Sequence, residues 1–545
     1  SASNLIGGEA TGGNDPTNDV YIRPPPGNLI SGNYMAGVLI NDGSTLNQLS
    51  GNYIGTTASG SAALGNRQDG VKIVSANSNS LIGCNDQQDP FVFYNVISGN
   101  GGNGLYVLNS DDTTIQANFF GVGANNTTAV GNTLNGVLIA GSSMDTTMGG
   151  PIPLGNVDAA NGVDGIVVQD TASYFTSYNT FCGLAAFTDQ MNLGNHHDGM
   201  LITTTGAAIL IRTNIVNENG YDGIEIGGAA TGVQVSGNLV GLASDQVAMG
   251  NKRDGIEIDG TAHNNVIGGP QPTFNVIAQN TISSNAADGV AIDGGAYNNT
   301  INNSFIGLDL LGTAARGNGA SGVYIAPGSN GNIIGSNSPT LLTVISGNKG
   351  NGVDMVNNSG NTVIGTYIGT DDTGANALGN GGNGIFIGGG TNDVVGSRNT
   401  TVPQNIIAFN ADYGVDLNGG SQDGIHTNSI YSNNLAGINL MNGANLSQVA
   451  PVLTSVHAVS TGTQVTGGLN STADTTFTLE FFANTTTGPS GRYFLGSTVV
   501  TTNTLGIATF IFSGKSLPSG ASYVTATATD PVNNTSEFSA AVAKT

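Results

Sequence analysis

One pattern recurs fourteen times along this chain and constrains everything else: glycine, aliphatic, any residue, aliphatic. It is read at Gly37-Val38-Leu39-Ile40, Gly70-Val71-Lys72-Ile73 and Gly104-Leu105-Tyr106-Val107. It returns at Gly136, Gly165, Gly199, Gly223, Gly255, Gly289, Gly322, Gly352, Gly384, Gly414 and Gly437. A recurrence of this kind, two to three dozen positions apart, is the mark of a solenoid, in which each unit buries its apolar face only against the next. The shortest intervals, Gly199 to Gly223 and Gly414 to Gly437, give the basic unit. Alternation over three to five residues, punctuated by Gly, Asn and Asp, reads as short strands and tight turns, and no segment keeps a helical period. Two or three short strands in a unit of that length predict a parallel β-helix. Its coils would rise about 4.8 Å each, so fourteen would make a rod of about 65–70 Å.

The longer intervals carry extra residues in two forms. One runs from Ile54-Gly55-Thr56 to Ala63-Leu64-Gly65-Asn66 and is echoed from Ile368-Gly369-Thr370 to Ala377-Leu378-Gly379-Asn380. The other precedes Asn95-Val96-Ile97-Ser98-Gly99-Asn100, with relatives at Asn275-Val276-Ile277 and Val344-Ile345-Ser346-Gly347-Asn348. These are expected to be insertions at two corners of the coil. The opening Ser3-Asn4-Leu5-Ile6-Gly7 matches mid-coil segments such as Asn79-Ser80-Leu81-Ile82-Gly83. The expectation is a chain that starts inside a coil, either as part of a longer array or as a subunit stacking head to tail on a neighbour.

Near Pro451 the repeat stops and Thr becomes dense. Segments Thr463–Thr466, Thr476–Phe482, Gly496–Thr501, Ala508–Phe512 and Ser522–Ala528 read as strands of a small β-sandwich. The expected organisation is a β-helix domain over 1–447 and an Ig-like sandwich over 448–545. Together these motifs resemble right-handed parallel β-helix repeat proteins of pectate-lyase-like architecture. They are similar in particular to large secreted bacterial surface proteins with Asn-x-Ile-Gly-Thr and Gly-Asn-x-x-x-Gly-Val-x-Ile repeats. That resemblance implies an extracellular or cell-surface setting. It does not imply an activity, since the fold hosts lyases, hydrolases, epimerases, tailspikes and adhesins.

Composition narrows the partners. The 12 Lys and Arg face 36 Asp and Glu, a net charge of −24. Such a surface repels phosphate, which excludes a duplex-tracking nucleic-acid binder and disfavours anionic membranes. No run of apolar residues is long enough for a transmembrane helix. Cys84 and Cys182 lie too many coils apart for a disulfide and are expected as buried free thiols.

Three groups of residues stand out. The position before the repeat glycine holds Asp164, Asp198, Asp222, Asp254 and Asp288 in five consecutive coils, and Asn in others. Turn chemistry accounts for both residue types. The sharper reading adds Glu225, Glu257, Asp259 and Asp293. Stacked carboxylates then make Asp222, Glu225, Asp254, Glu257, Asp259, Asp288 and Asp293 candidate Ca²⁺ ligands. The second group, His196, His197, Asp198 and Asp222, with Lys252 and Arg253 one coil further, combines acid, base and cation as glycan cleavage requires. The signatures of polygalacturonases and alginate epimerases are missing there, so no catalytic set is assigned and these four are weak candidates. The third group is the outward position of the repeat, apolar at Tyr106, Leu138, Val167, Leu201, Tyr324 and Phe386, which reads as a partner interface or as a floor beneath an insertion loop.

The sequence therefore favours a secreted, structural or adhesive β-helix that self-associates into filaments or arrays. The alternatives are a polysaccharide lyase or glycoside hydrolase with an acidic site on the helix face, and a tailspike-like glycan-binding protein.

Overall fold

The computed structural model describes residues 4–7, 27–84, 94–151, 154–185, 192–270, 279–460 and 462–545. Ser3 and the segment Asn275-Val276-Ile277 lie outside them. The chain divides into two compact units, 1–290 and 291–545. The fold is a right-handed parallel β-helix followed by antiparallel sheets. Each coil contributes one short strand to each of three faces, fourteen strands to a face in all. The second coil is representative, with strands Gln48–Ser50 on the first face, Tyr53–Ile54 on the second and Val71–Val74 on the third. Among the described residues the only helical element is a 3-10 turn at Ala444–Ser447, and no helix is long and apolar enough to cross a membrane.

The repeat Gly-Val-x-Ile is the third-face strand. Its two aliphatic positions point into the lumen, and in the first unit they stack in register through Val71, Leu105, Val137, Ile166, Met200, Ile224 and Ile256, none exposed. The glycine itself answers a close approach. A Cβ on Gly70 would lie 2.7 Å from the Gly104 carbonyl oxygen, from the Asn100 amide and from an Ile97 methyl. No side chain fits there.

Four positions before every repeat glycine stands an asparagine, from Asn33 before Gly37 to Asn433 before Gly437. These amides form buried ladders. In one run Asn66 donates to Asn100, Asn100 to Asn132, Asn132 to Asn161, Asn161 to Asn195, Asn195 to Asn219 and Asn219 to Asn251, at 2.9–3.1 Å. A second ladder, Asn52, Asn95, Asn118 and Asn156, runs at the corner between the first and second faces. An amide supplies one acceptor and two donors, so a stacked column of them satisfies itself in a place where water cannot enter.

The first insertion type closes back on itself through short antiparallel bridges in alternate coils: Thr56 to Ala63, Val122 to Ala129, Leu184 to Asn192 and Leu242 to Ala248 in the first unit, Leu308 to Ala315 and Thr370 to Ala377 in the second. Cys84 and Cys182 are both buried thiols.

Two antiparallel sheets end the second unit. One joins Val452–Val459, Gly462–Asn470 and Ile507–Gly514; the other joins Tyr493–Thr501, Thr476–Asn484, Tyr523–Thr529 and Val542–Ala543. They share an apolar core in which Phe481 of one sheet stacks on Phe512 of the other, ring centroids 4.1 Å apart. The strand Val452–Val459 adds to those expected from the sequence. This sandwich is seated on the last coil of the helix and takes the place of a further coil. Ile425 N–H donates to Thr535 Oγ1, Thr427 N–H to Glu480 and Leu440 N–H to Glu537, each at 3.0 Å. Ile430 and Gly491 exchange backbone hydrogen bonds at 2.9 and 2.8 Å, and Gly437 N–H reaches the Pro489 carbonyl at 2.9 Å. An edge that would otherwise template association is thereby paired. The same contacts place the last coils and the sandwich in one compact unit.

Candidate functional site

The Asp column before the repeat glycine is first of all a backbone device. Asp198 N–H donates to Asp164 Oδ1 (3.0 Å), Asp222 N–H to Asp198 Oδ1 (2.8 Å), Asp254 N–H to Asp222 Oδ1 (2.7 Å) and Asp288 N–H to Asp254 Oδ1 (2.7 Å). Asn does the same at Asn135, whose Oδ1 accepts from Asp164 N–H at 3.1 Å. Each side chain thus ties the turn of the following coil, which is why Asp and Asn interchange.

Aspartate leaves a second oxygen, and in the middle of the first unit this builds a site. His197 Nδ1 lies 3.0 Å from Asp164 Oδ1 and 2.8 Å from Asp198 Oδ2. The ring stacks on Tyr221 at 4.2 Å and is 39 % exposed, while Asp198 has no exposure at all. Two carboxylates facing Nδ1 fix the tautomer that carries its proton there, leaving Nε2 for solvent or substrate. One coil on, the side chain of Glu225 reaches Asp198 as well. Burial first, and then the Asp198 charge and a hydrogen bond to it, push the Glu225 carboxyl up to about 8. Burial raises Asp198 only to about 6, because the Asp222 backbone N–H and Glu225 stabilise its charge. Burial and the shared carboxylate thus favour the protonated form of Glu225 over that of Asp198.

The neighbouring coil is closed by Arg253. Its guanidinium grips Glu257 at 2.8 and 2.5 Å, reaches Asp222 Oδ2 at 3.2 Å and lies 3.5 Å from Asp254. Burial dominates at Asp222 and raises it to about 7 despite this arginine. Lys252 pairs with Glu218.

The outward column of the third face runs in register through Lys72, Tyr106, Leu138, Val167, Leu201, Glu225 and Glu257. The apolar stretch leads straight into the carboxylate site. Val167 is buried and Tyr106, Leu138 and Leu201 are half-buried, so the stripe is a floor and not a raised patch. Lys72 Nζ lies 4.9 Å over the Tyr106 ring. Tyr324 and Phe386 belong to the second unit, where the register is Tyr324, Asp354, Phe386, Asp416 and a carboxylate separates the two rings.

Of the residues singled out in the sequence, the structure brings together His197, Asp198, Asp222 and Glu225. His196 offers no side-chain contact to this network among the described residues. Two sets among those residues hold ligand atoms within 4.8 Å of one another: Asp164, His197 and Asp198, and Asp198, Asp222 and Glu225. Neither contains Asp254, Asp259, Asp288 or Asp293, and Glu257 is committed to Arg253. Calcium takes six to eight oxygens. Here Asp198 and Asp222 are fully buried, their Oδ1 atoms hold backbone N–H groups and their Oδ2 atoms face His197 and Arg253. The residues present do not fit that ion. Tyr221, Asp164 and Arg253 complete the geometry. The sequence sets Asp164 and Arg253 beside the site, whereas nothing in it marks Tyr221 as the ring that supports His197.

No protein-family model matches the chain, and no curated protein matches it. Among solved structures it is similar to the periplasmic alginate epimerase AlgG, with 13 % identity over 70 % of this chain and 76 % of that one and a TM-score of 0.37. It is also similar to the Azotobacter vinelandii mannuronan C-5 epimerase AlgE6 A-module, with 14 % identity, 74 % and 90 % coverage and a TM-score of 0.33. A third is the tailspike protein of E. coli bacteriophage HK620 in complex with a pentasaccharide, with 10 % identity, 96 % and 84 % coverage and a TM-score of 0.35.

Proposed function

We propose that the protein binds a polysaccharide along the third face of residues 1–290 and cleaves it with His197 and Glu225 as base and acid. The observation that carries this reading is the geometry of one short stretch. The half-buried Glu225 carboxyl, pushed up by burial and by the Asp198 charge, and the His197 imidazole, whose Nδ1 faces Asp164 and Asp198, meet at the one Asp198 side chain. Paired groups whose environments separate their protonation states are what acid–base cleavage of a glycosidic bond requires. The Glu225 O–H protonates the leaving glycosidic oxygen as the C–O bond breaks. His197 Nε2 takes the proton of the attacking water, and Asp164 and Asp198 stabilise the imidazolium. Glu225, left ionised beside Asp198, recovers its proton from solvent.

The floor beside this pair suits the apolar face of sugar rings, with Tyr106, Leu138, Val167 and Leu201 in one line. Arg253 and Lys252 are already paired with carboxylates. The glycan is therefore an uncharged one, since a polyuronate would meet Glu225 and Glu257 with no spare cation beside them among the described residues. Arg253 acts as a positioning residue that holds Asp222 and Glu257.

A second reading is a structural or adhesive rod that self-associates. The observation in its favour is the exposed Leu29, Tyr34, Met35, Leu39 and Leu46 of the first coil. In both readings the protein works outside the cell or at its surface. A glycan array probed with wild type and with Glu225→Gln tests the first reading. Binding of neutral glycans by both proteins supports it. Binding of none, with filaments seen by electron microscopy, overturns it in favour of the second.

A further inference from the structure

In the second unit the corner leading into the first face carries a polar ladder of its own, made of Asn299, Asn332, Asn361, Asp393, Asp423 and Asn445. At every rung the Oδ1 of one residue accepts the backbone N–H of the residue one coil earlier: Asn332 from Asn299 (2.9 Å), Asn361 from Asn332 (2.8 Å), Asp393 from Asn361 (2.8 Å), Asp423 from Asp393 (3.0 Å) and Asn445 from Asp423 (2.9 Å). Where the rung is an asparagine, its other atom is a donor. Asn299 Nδ2 reaches Asn332 Oδ1, Asn332 Nδ2 reaches Asn361 Oδ1 and Asn361 Nδ2 reaches Asp393 Oδ1, at 3.2, 3.2 and 3.3 Å. Asp393 and Asp423 put an oxygen in that donor position. Both residues have no exposure, and the Oδ2 of each has no hydrogen-bond partner among the described residues.

Two stacked carboxylates about 4.8 Å apart, sealed from water and with no cation paired to them among the described residues, are costly as ions. As carboxylic acids each supplies the O–H that the ladder lacks. We propose that Asp393 and Asp423 are carried as neutral acids, and that this pair is a proton-dependent latch for the C-terminal end of the helix, closed in acid and loosened in alkali. Burial pushes each up to about 7, the Asp423 charge adding to the effect at Asp393.

The pair lies directly beneath the seat of the sandwich. Asn445, the next rung, donates to the Asp423 carbonyl at 2.8 Å and to the Thr535 carbonyl at 3.0 Å, and Gln422 N–H donates to Asn534 Oδ1 at 2.6 Å. The charged groups around it are otherwise engaged. Arg398 lies on His426 at 3.4 Å and on Asn533 at 2.9 Å, and His426 is pushed down by burial to about 4, so it is neutral across the relevant range. From the sandwich, Glu480 accepts from Thr427, Glu537 from Leu440 N–H and Asp530 from Asn534.

The test is amide hydrogen exchange of peptides spanning 415–445 in the full chain between pH 5 and 8.5, corrected for the intrinsic rate. It compares wild type with D393N/D423N and with D423N alone. In wild type, protection should fall between about pH 5 and 7, on the order of tenfold per pH unit for each acid, and level off above the folded values of about 7. The double variant, whose amides complete the ladder at any pH, should stay flat, and D423N should fall between. A flat wild-type profile, or the same slope in the double variant, overturns the proposal.

Discussion

Replacing Asn219 by Ala removes one rung from the middle of a ladder, and its cost follows from the bonds it makes. Asn219 has no exposure. Its Oδ1 accepts the Asn195 backbone N–H at 3.2 Å and the Asn195 amide at 3.1 Å, and its Nδ2 donates to Asn251 at 2.9 Å. Asn195 Nδ2 keeps a second partner in the Asp158 carbonyl, and Asn251 Oδ1 keeps the Asn219 backbone N–H. The Asn195 backbone N–H keeps none among the described residues. One orphaned buried donor costs about 1–3 kcal/mol and each further lost bond about 0.5–1.5 kcal/mol, so the rung is worth about 2–6 kcal/mol. Hydrogen exchange of peptides covering 192–226 reads this as a local opening free energy. A change below about 1 kcal/mol, within the range of an ordinary surface substitution, would refute the view that the ladders hold the coils together.

Other consequences can be checked alongside. Gly70→Ala should cost about 1–3 kcal/mol in urea unfolding, because three atoms at 2.7 Å must give way to its Cβ. The first unit should lose stability as pH rises from about 4 to 8. Asp198, Asp222 and Glu225 bind protons more tightly folded than unfolded, so their contribution is full below the unfolded values and is lost through the folded ones. Thermal melts should show that slope in wild type and a shallower one in D222N/E225Q. A chelator should leave both melting and any glycan cleavage unchanged, since Asp198, Asp222 and Glu257 already hold backbone N–H groups, His197 and Arg253; a drop in melting temperature would restore the cation reading. Cys182, fully buried with its thiol raised by burial, should resist alkylation until the chain unfolds.

The architecture was readable because its physics is local and periodic. A glycine that cannot carry a Cβ and two lumen-facing aliphatics recur in every coil, and the alternating insertions announce themselves by length. The asparagine four positions before each repeat glycine was equally visible, yet its meaning as a ladder depends on how one coil stacks on the next. The same is true of the site. The sequence pointed at His197, Asp198, Asp222 and Glu225, but Asp198 and Asp222 turn inward to hold backbone N–H groups, which leaves His197 and Glu225 as the accessible pair. The Asp393 and Asp423 pair carried no signal, because aspartate at a turn is ordinary until its second oxygen proves to be sealed from water. The seating of the sandwich through Glu480, Thr535 and Glu537 joins residues up to 110 positions apart, beyond any local pattern.

The most direct test is to incubate the full chain at pH 7 with a panel of neutral and uronate-containing polysaccharides and to measure new reducing ends. Cleavage of a neutral glycan is expected, lost by at least about a hundredfold in both His197→Ala and Glu225→Gln. Cleavage that survives in His197→Ala, or no cleavage of any glycan by the wild type, would contradict that expectation.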